Sequence, residues 1–208
     1  MKEQLRYGRR ECPGRAHFFF VPKSTLEGLI TVPVVARDIQ ITNKAIEEKE
    51  ALRAAEDACQ RAKKLYAALA YVKKGSDICS LLKEGVTDQD LPLTRKEDNH
   101  QGSFALSRNS ISLARDPGLK ESISTFEGWS DKEREKFDRV QWWMTAPFFV
   151  PALEDEGHHE LDDKTILPFV PFEGSEEMKK PIQGGYSEVY RVRLHPAHHS
   201  FWVTGLEV

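Results

Sequence analysis

Asn43-Lys44-Ala45-Ile46-Glu47-Glu48-Lys49-Glu50-Ala51-Leu52-Arg53-Ala54-Ala55-Glu56-Asp57-Ala58-Cys59-Gln60-Arg61-Ala62-Lys63-Lys64-Leu65-Tyr66-Ala67-Ala68-Leu69-Ala70-Tyr71-Val72-Lys73-Lys74-Gly75 carries the strongest local signal in the chain. Alanine, glutamate, lysine, arginine and leucine dominate it, and all are good helix formers. Asn43 is a suitable N-cap. Leu52, Ala55, Cys59, Ala62, Tyr66 and Leu69 recur three or four apart, which predicts one buried stripe. Lys73 and Lys74 complement the negative end of the helix dipole, and Gly75 can take the left-handed stop conformation. The stretch predicts a single long helix from Asn43 to Gly75.

Outward from that helix, Ser76 is expected to cap a shorter one that turns Ile78, Leu81 and Leu82 inward and ends at Gly85. The short connection makes the pair a helical hairpin or bend. Thr87-Asp88-Gln89-Asp90 predicts one more turn before Pro92. Arg95 to Gly102 is polar and reads as a loop, Phe104 and Leu106 mark a short strand, and the segment from Ser107 to Gly128 carries no assignable pattern. Ser130-Asp131-Lys132-Glu133 matches a capping box. The helix behind it is expected to expose Arg134, Glu135 and Asp138, to bury Phe137, Val140, Trp143 and Met144, and to end before Pro147. On the other side, Pro13-Gly14 reads as a turn and Phe18 to Pro22 as an extended piece. Ser24 begins a helical turn, and Pro33 is expected to interrupt regular structure soon after it.

Composition bounds the class. The chain has 208 residues, 39% hydrophobic and 30% charged, with a net charge of -3 and a pI near 6.2. That balance supports a modest core and gives no general affinity for nucleic-acid phosphates or anionic lipid, so neither partner is expected. No apolar run approaches the roughly 20 residues of a membrane helix. The first ten residues are polar where a signal peptide would be apolar. Cys12, Cys59 and Cys79 form neither a disulfide framework nor a CxxC pair, so ordinary thiols in a cytoplasmic or otherwise intracellular setting are expected.

Metal chemistry finds little support. His195, His198 and His199, with His158 and His159 further upstream, lack the cysteines and close spacing of a zinc site and read as surface or hairpin-end side chains. Glu154-Asp155-Glu156 and Asp162-Asp163 lack the spacing of a calcium loop and read as solvated surface. Trp142-Trp143 with Phe148-Phe149 could form a partner patch, but helical spacing of the aromatics favours core.

The last region reads Lys180-Pro181-Ile182-Gln183-Gly184-Gly185-Tyr186-Ser187-Glu188-Val189-Tyr190-Arg191-Val192-Arg193-Leu194. By itself it is a β-hairpin with a Gly-Gly turn and strands of high β propensity. It resembles the Gly-rich loop of protein kinases, G-x-G-x-x-G-x-V. Gly184 matches the second glycine, Tyr186 the loop aromatic, Val189 the valine that packs on adenine and Tyr190 the residue after it. Ile182 and Ser187 stand at the first and third glycine positions, where each adds a side chain to a close approach. Arg191-Val192-Arg193-Leu194-His195-Pro196-Ala197-His198-His199-Ser200-Phe201, the lead-in Glu160-Leu161-Asp162-Asp163-Lys164 with Ile166-Leu167-Pro168-Phe169, and Leu82 to Thr94 are similar to a group of fungal serine/threonine protein kinase-like proteins with a helical N-terminal region.

That resemblance implies an α+β chain. A mainly helical region over 1–157 is followed by an extended lead-in over 158–180 and, over 181–208, the hairpin that starts a kinase small lobe. It implies weak ATP binding at most, through Gly184, Gly185, Tyr186, Ser187 and Val189. The third-strand lysine, the catalytic-loop aspartate and asparagine and the metal-binding aspartate of kinases have no counterpart here, so no catalytic residue is assigned and the chain alone is expected to be inactive, a kinase cut short. The competing expectation is a non-catalytic helical module that binds a protein partner and keeps only a vestigial kinase tail.

Overall fold

The structure is a computed structural model, and it describes residues 1–97, 104–151, 161–172, 174, 181–184 and 187–201. The segment Asn43–Gly75 is not one helix. A turn occupies 44–46, α4 runs over Glu48–Arg61, and α5 over Lys63–Val72. At Ala62, between the two helices, the backbone leaves helical geometry (φ -141°, ψ 33°). The cause lies outside the segment. The Asp88 carboxylate accepts the amide N–H groups of Lys64 (3.0 Å) and Leu65 (2.9 Å), capping α5 from a distant turn. Two of the orphan donors that open any helix are thereby satisfied.

The break changes which side chains are buried. Ala51, Ala55 and Ala58 face inward from α4, whereas Leu52 is 40% exposed, contrary to the expected stripe. In α5 every residue from Leu65 to Val72 is buried. A helix apolar all round belongs at the centre of a core, and Ala67, Ala68 and Ala70 leave room for neighbours to approach closely. Those neighbours include α1 (Lys2–Gly8), α2 (Lys23–Leu29), α6 (Ile78–Lys83) and α8 (Asp131–Met144). Helix α3 (Val32–Thr42) packs against α4, and α7 (Ser110–Arg115) is a short helix capped by Asn109.

Helix α3 departs from expectation, because Pro33 reads as an interruption. Proline is tolerated in a first helical turn, where its missing N–H would have no partner anyway. Asn43 consequently ends α3 instead of opening α4. The expected serine caps also move: α2 starts behind Pro22 and α6 behind Asp77, so neither Ser24 nor Ser76 is an N-cap. The left-handed stop after α5 falls on Lys73 (φ 66°) rather than Gly75.

Gly75 has another role: it is buried, and a Cβ there would stand 2.6 Å from Asp38 Oδ2. That oxygen accepts the Tyr66 hydroxyl at 2.7 Å. Gly75→Ala is therefore expected to displace Asp38 and lower stability by about 1–3 kcal/mol, read as a shifted urea midpoint. A variant as stable as the parent would show that Asp38 moves aside freely.

Other expectations agree with the structure. Ser130 and Glu133 form the capping box that opens α8, and Phe137, Val140, Trp143 and Met144 are buried. Gly85 (φ 74°) follows α6, and Thr87 caps the 3-10 turn Asp88–Asp90. Two side chains exchange places with solvent. Arg134, expected outside, donates to the carbonyls of Phe126 (3.1 Å) and Trp129 (2.7 Å). Phe148, expected in the core, is 44% exposed beneath the Lys23 ammonium, because it lies past the end of α8.

Among the described residues, strands form four separate antiparallel pairs: β1 (Arg10–Glu11) with β2 (Phe19–Phe20), β3 (Thr94–Glu97) with β4 (Phe104–Ser107), β5 (Phe169–Pro171) with β8 (Val192–Leu194), and β6 (Ile182–Gly184) with β7 (Ser187–Val189). Part of the expected loop from Arg95 is thus strand β3. Two-stranded ribbons are marginal alone; α8 packs against β2 and β4. The architecture is α+β, and no described helix is long and apolar enough to cross a membrane.

Candidate functional site

Strands β6 and β7 place Ile182 opposite Val189, Gln183 opposite Glu188 and Gly184 opposite Ser187. Gly185 and Tyr186, two of the five expected nucleotide contacts, lie outside the described residues. Gly184 and Ser187 are placed as a backbone pair at the end of the described ribbon.

Directly opposed residues share one face of an antiparallel ribbon. Ile182 is 61% exposed and Val189 55% exposed, so the apolar face of this hairpin is uncovered. The residues flanking Val189 are exposed too, but they border other parts of the chain. Glu188 and Tyr190 line a cleft of about 430 Å³ with Cys12, Arg15, Phe18 and Phe169. The N-terminal loop reaches this side through Gly14 (φ 75°), where a Cβ would lie 3.0 Å from the Tyr190 ring. Tyr190 donates its hydroxyl to Glu188 Oε2 at 2.7 Å, and that hydrogen bond pushes the phenol pKa upward.

The hairpin is shorter than the sequence suggests. Val192–Leu194 leaves β7 and pairs instead with Phe169–Pro171, with Val192 opposite Pro171. The histidines after it also need correction. His198 is only 3% exposed: its Nε2 accepts the Lys23 amide N–H at 3.1 Å, and its Nδ1 lies 2.9 Å from the Pro147 carbonyl oxygen. His195 Nδ1 accepts the Ala197 amide N–H at 3.1 Å, and the His199 ring stacks on Phe201. His158 and His159 lie outside the described residues. Among the described residues, no group of three His, Cys, Asp or Glu side chains gathers as a metal site would require.

A larger cleft, about 570 Å³, is bordered by Lys64, Asp88, Asn109, Asp138, Trp142 and Lys164. Its charges are mixed in sign, and Asp88 and Asp138 already accept hydrogen bonds from Leu65 and Gln141. Sequence reasoning missed both Asp88 and Gly14 as organising residues. Their partners are distant in the chain, and no local pattern signals them. Comparison with protein-family models, curated proteins and solved structures gives no match.

Proposed function

We propose that this chain is a protein kinase-like protein, in which a helical module carries the glycine-loop hairpin that opens a kinase small lobe. The corresponding family activity is ATP-dependent phosphorylation of serine and threonine. These 208 residues contain no V-A-I-K, H-R-D or D-F-G motif; on this reading they bind nucleotide weakly and transfer no phosphoryl group.

One observation carries the reading. Strands β6 and β7 pair with Gly184 opposite Ser187 and present an open apolar face, Ile182 and Val189, while the N-terminal loop approaches the Tyr190 ring at Gly14. Nucleotide binding of this type needs backbone amides at the turn and apolar surface beside it. Calorimetric titration of the full chain with ATP and Mg²⁺ is expected to give weak, saturable binding, lost in Gly184→Val and Gly185→Val. Radiolabelled ATP is expected to leave no phosphate on a general protein substrate. Absence of saturable binding, or binding unchanged in both glycine variants, overturns the reading.

A further inference from the structure

We propose that His198 is a pH-gated latch, holding the segment after β8 onto the helical region while neutral and releasing it when protonated. The segment has two other attachments nearby. The His195 amide donates to the Pro168 carbonyl at 2.9 Å, and the chain exchanges backbone bonds with Phe149 (Phe149 N–H to His198 O, 2.8 Å; Ser200 N–H to Phe149 O, 3.0 Å). His198 joins this segment to two further elements. Its Nε2 accepts from Lys23 at the start of α2, where no side chain of the helix supplies a cap, and its Nδ1 meets the carbonyl of Pro147 beyond α8.

A carbonyl oxygen only accepts, so Nδ1 carries the proton and Nε2 is the bare acceptor. A second proton on Nε2 abolishes the Lys23 contact and sets two donors against each other. It also introduces a charge in poor surroundings. The Phe20 ring stands edge-on to both His195 and His198, at 5.7 and 5.5 Å. The charged and titratable groups acting on His198 are His195, Lys64 at the start of α5 and Lys23 on α2, while Arg10 and His199 act on His195. All are basic.

Burial, then His195, Lys64 and Lys23, hold the His198 pKa below the usual imidazole value, against the opposing Pro147 hydrogen bond. The docked segment therefore binds fewer protons than the released one. Docking is strongest above the free imidazole pKa of about 6.5 and weakens as pH falls below it. This latch is independent of what the hairpin binds.

Hydrogen exchange of the full chain, corrected for the intrinsic pH dependence of exchange, provides the test. Peptides covering 192–201 are expected to exchange several-fold faster at about pH 5.5 than at about pH 7.5, up to the roughly tenfold that one imidazole of free pKa about 6.5 can supply over that range. His198→Gln is expected to bring that ratio close to one, and His195→Gln to retain most of the dependence. A parent ratio near one, or a dependence that survives in His198→Gln, overturns the proposal. Should His198→Gln fail to fold, imidazole ¹⁵N spectra of the parent decide: an Nδ1–H tautomer titrating below the other histidines supports the latch, and an Nε2–H tautomer or ordinary titration overturns it.

Discussion

Arg108→Met is expected to destabilise the protein by about 3–5 kcal/mol, the range for stranding one member of a buried ion pair. The side chains of Arg108 and Asp90 are each 1% exposed, with Arg108 Nε 3.5 Å from Asp90 Oδ1. The guanidinium also donates to the carbonyls of Lys120 (2.5 Å) and Glu84 (2.6 Å), tying the end of α6 to the segment after α7. Asp90 Oδ2 meanwhile accepts the Thr87 amide N–H at 2.8 Å, closing the 3-10 turn that also presents Asp88 to α5. Methionine keeps much of the stem volume but leaves the Asp90 charge, among the described residues, with Arg115 as its cation, 3.9 Å away and 43% exposed. Equilibrium urea denaturation measures the effect. Adding Asp90→Asn to Arg108→Met is expected to recover part of the loss by removing the stranded charge. A single-variant loss below about 1 kcal/mol would mean that Arg115 or water replaces Arg108.

Gln141→Leu is expected to lose about 2–4 kcal/mol, although it exchanges one buried side chain for another of similar size. Gln141 is 0% exposed. Its Oε1 accepts the Leu93 amide N–H at 2.7 Å and its Nε2 donates to the Leu93 carbonyl at 3.0 Å, so the side chain pairs with a backbone residue much as a strand would. Leucine fills the space and strands both Leu93 groups, at about 1–3 kcal/mol for each unsatisfied buried polar group. Thermal and urea unfolding both report it, and a near-neutral result would show that Leu93 finds water or another partner.

Local chemistry made much of the helical part legible. The Ser130–Glu133 box, the inward face of α8, Ile78, Leu81 and Leu82 on α6 and the stop at Gly85 involve partners within a turn or two, which a sequence pattern records. Pro33 misled because its position within a helix, rather than its presence, decides its effect. The candidate hairpin was legible as strands about a glycine pair. That its Tyr190 ring meets Gly14 of the N-terminal loop was not, since nothing near either segment encodes the other.

By itself, the sequence determined the α+β class, the existence of helix-forming and strand-forming stretches, and the acidic, cysteine-poor character of the chain. Tertiary structure alone decided where the long helical stretch breaks, because the cap on α5 is Asp88, 24 residues from Lys64. It alone decided that His198 is an interior side chain, because its donor and acceptor partners lie 175 and 51 residues away. Periodicity reports what a residue does to its near neighbours; a buried polar group is fixed by whichever distant donor or acceptor the fold brings within hydrogen-bonding distance.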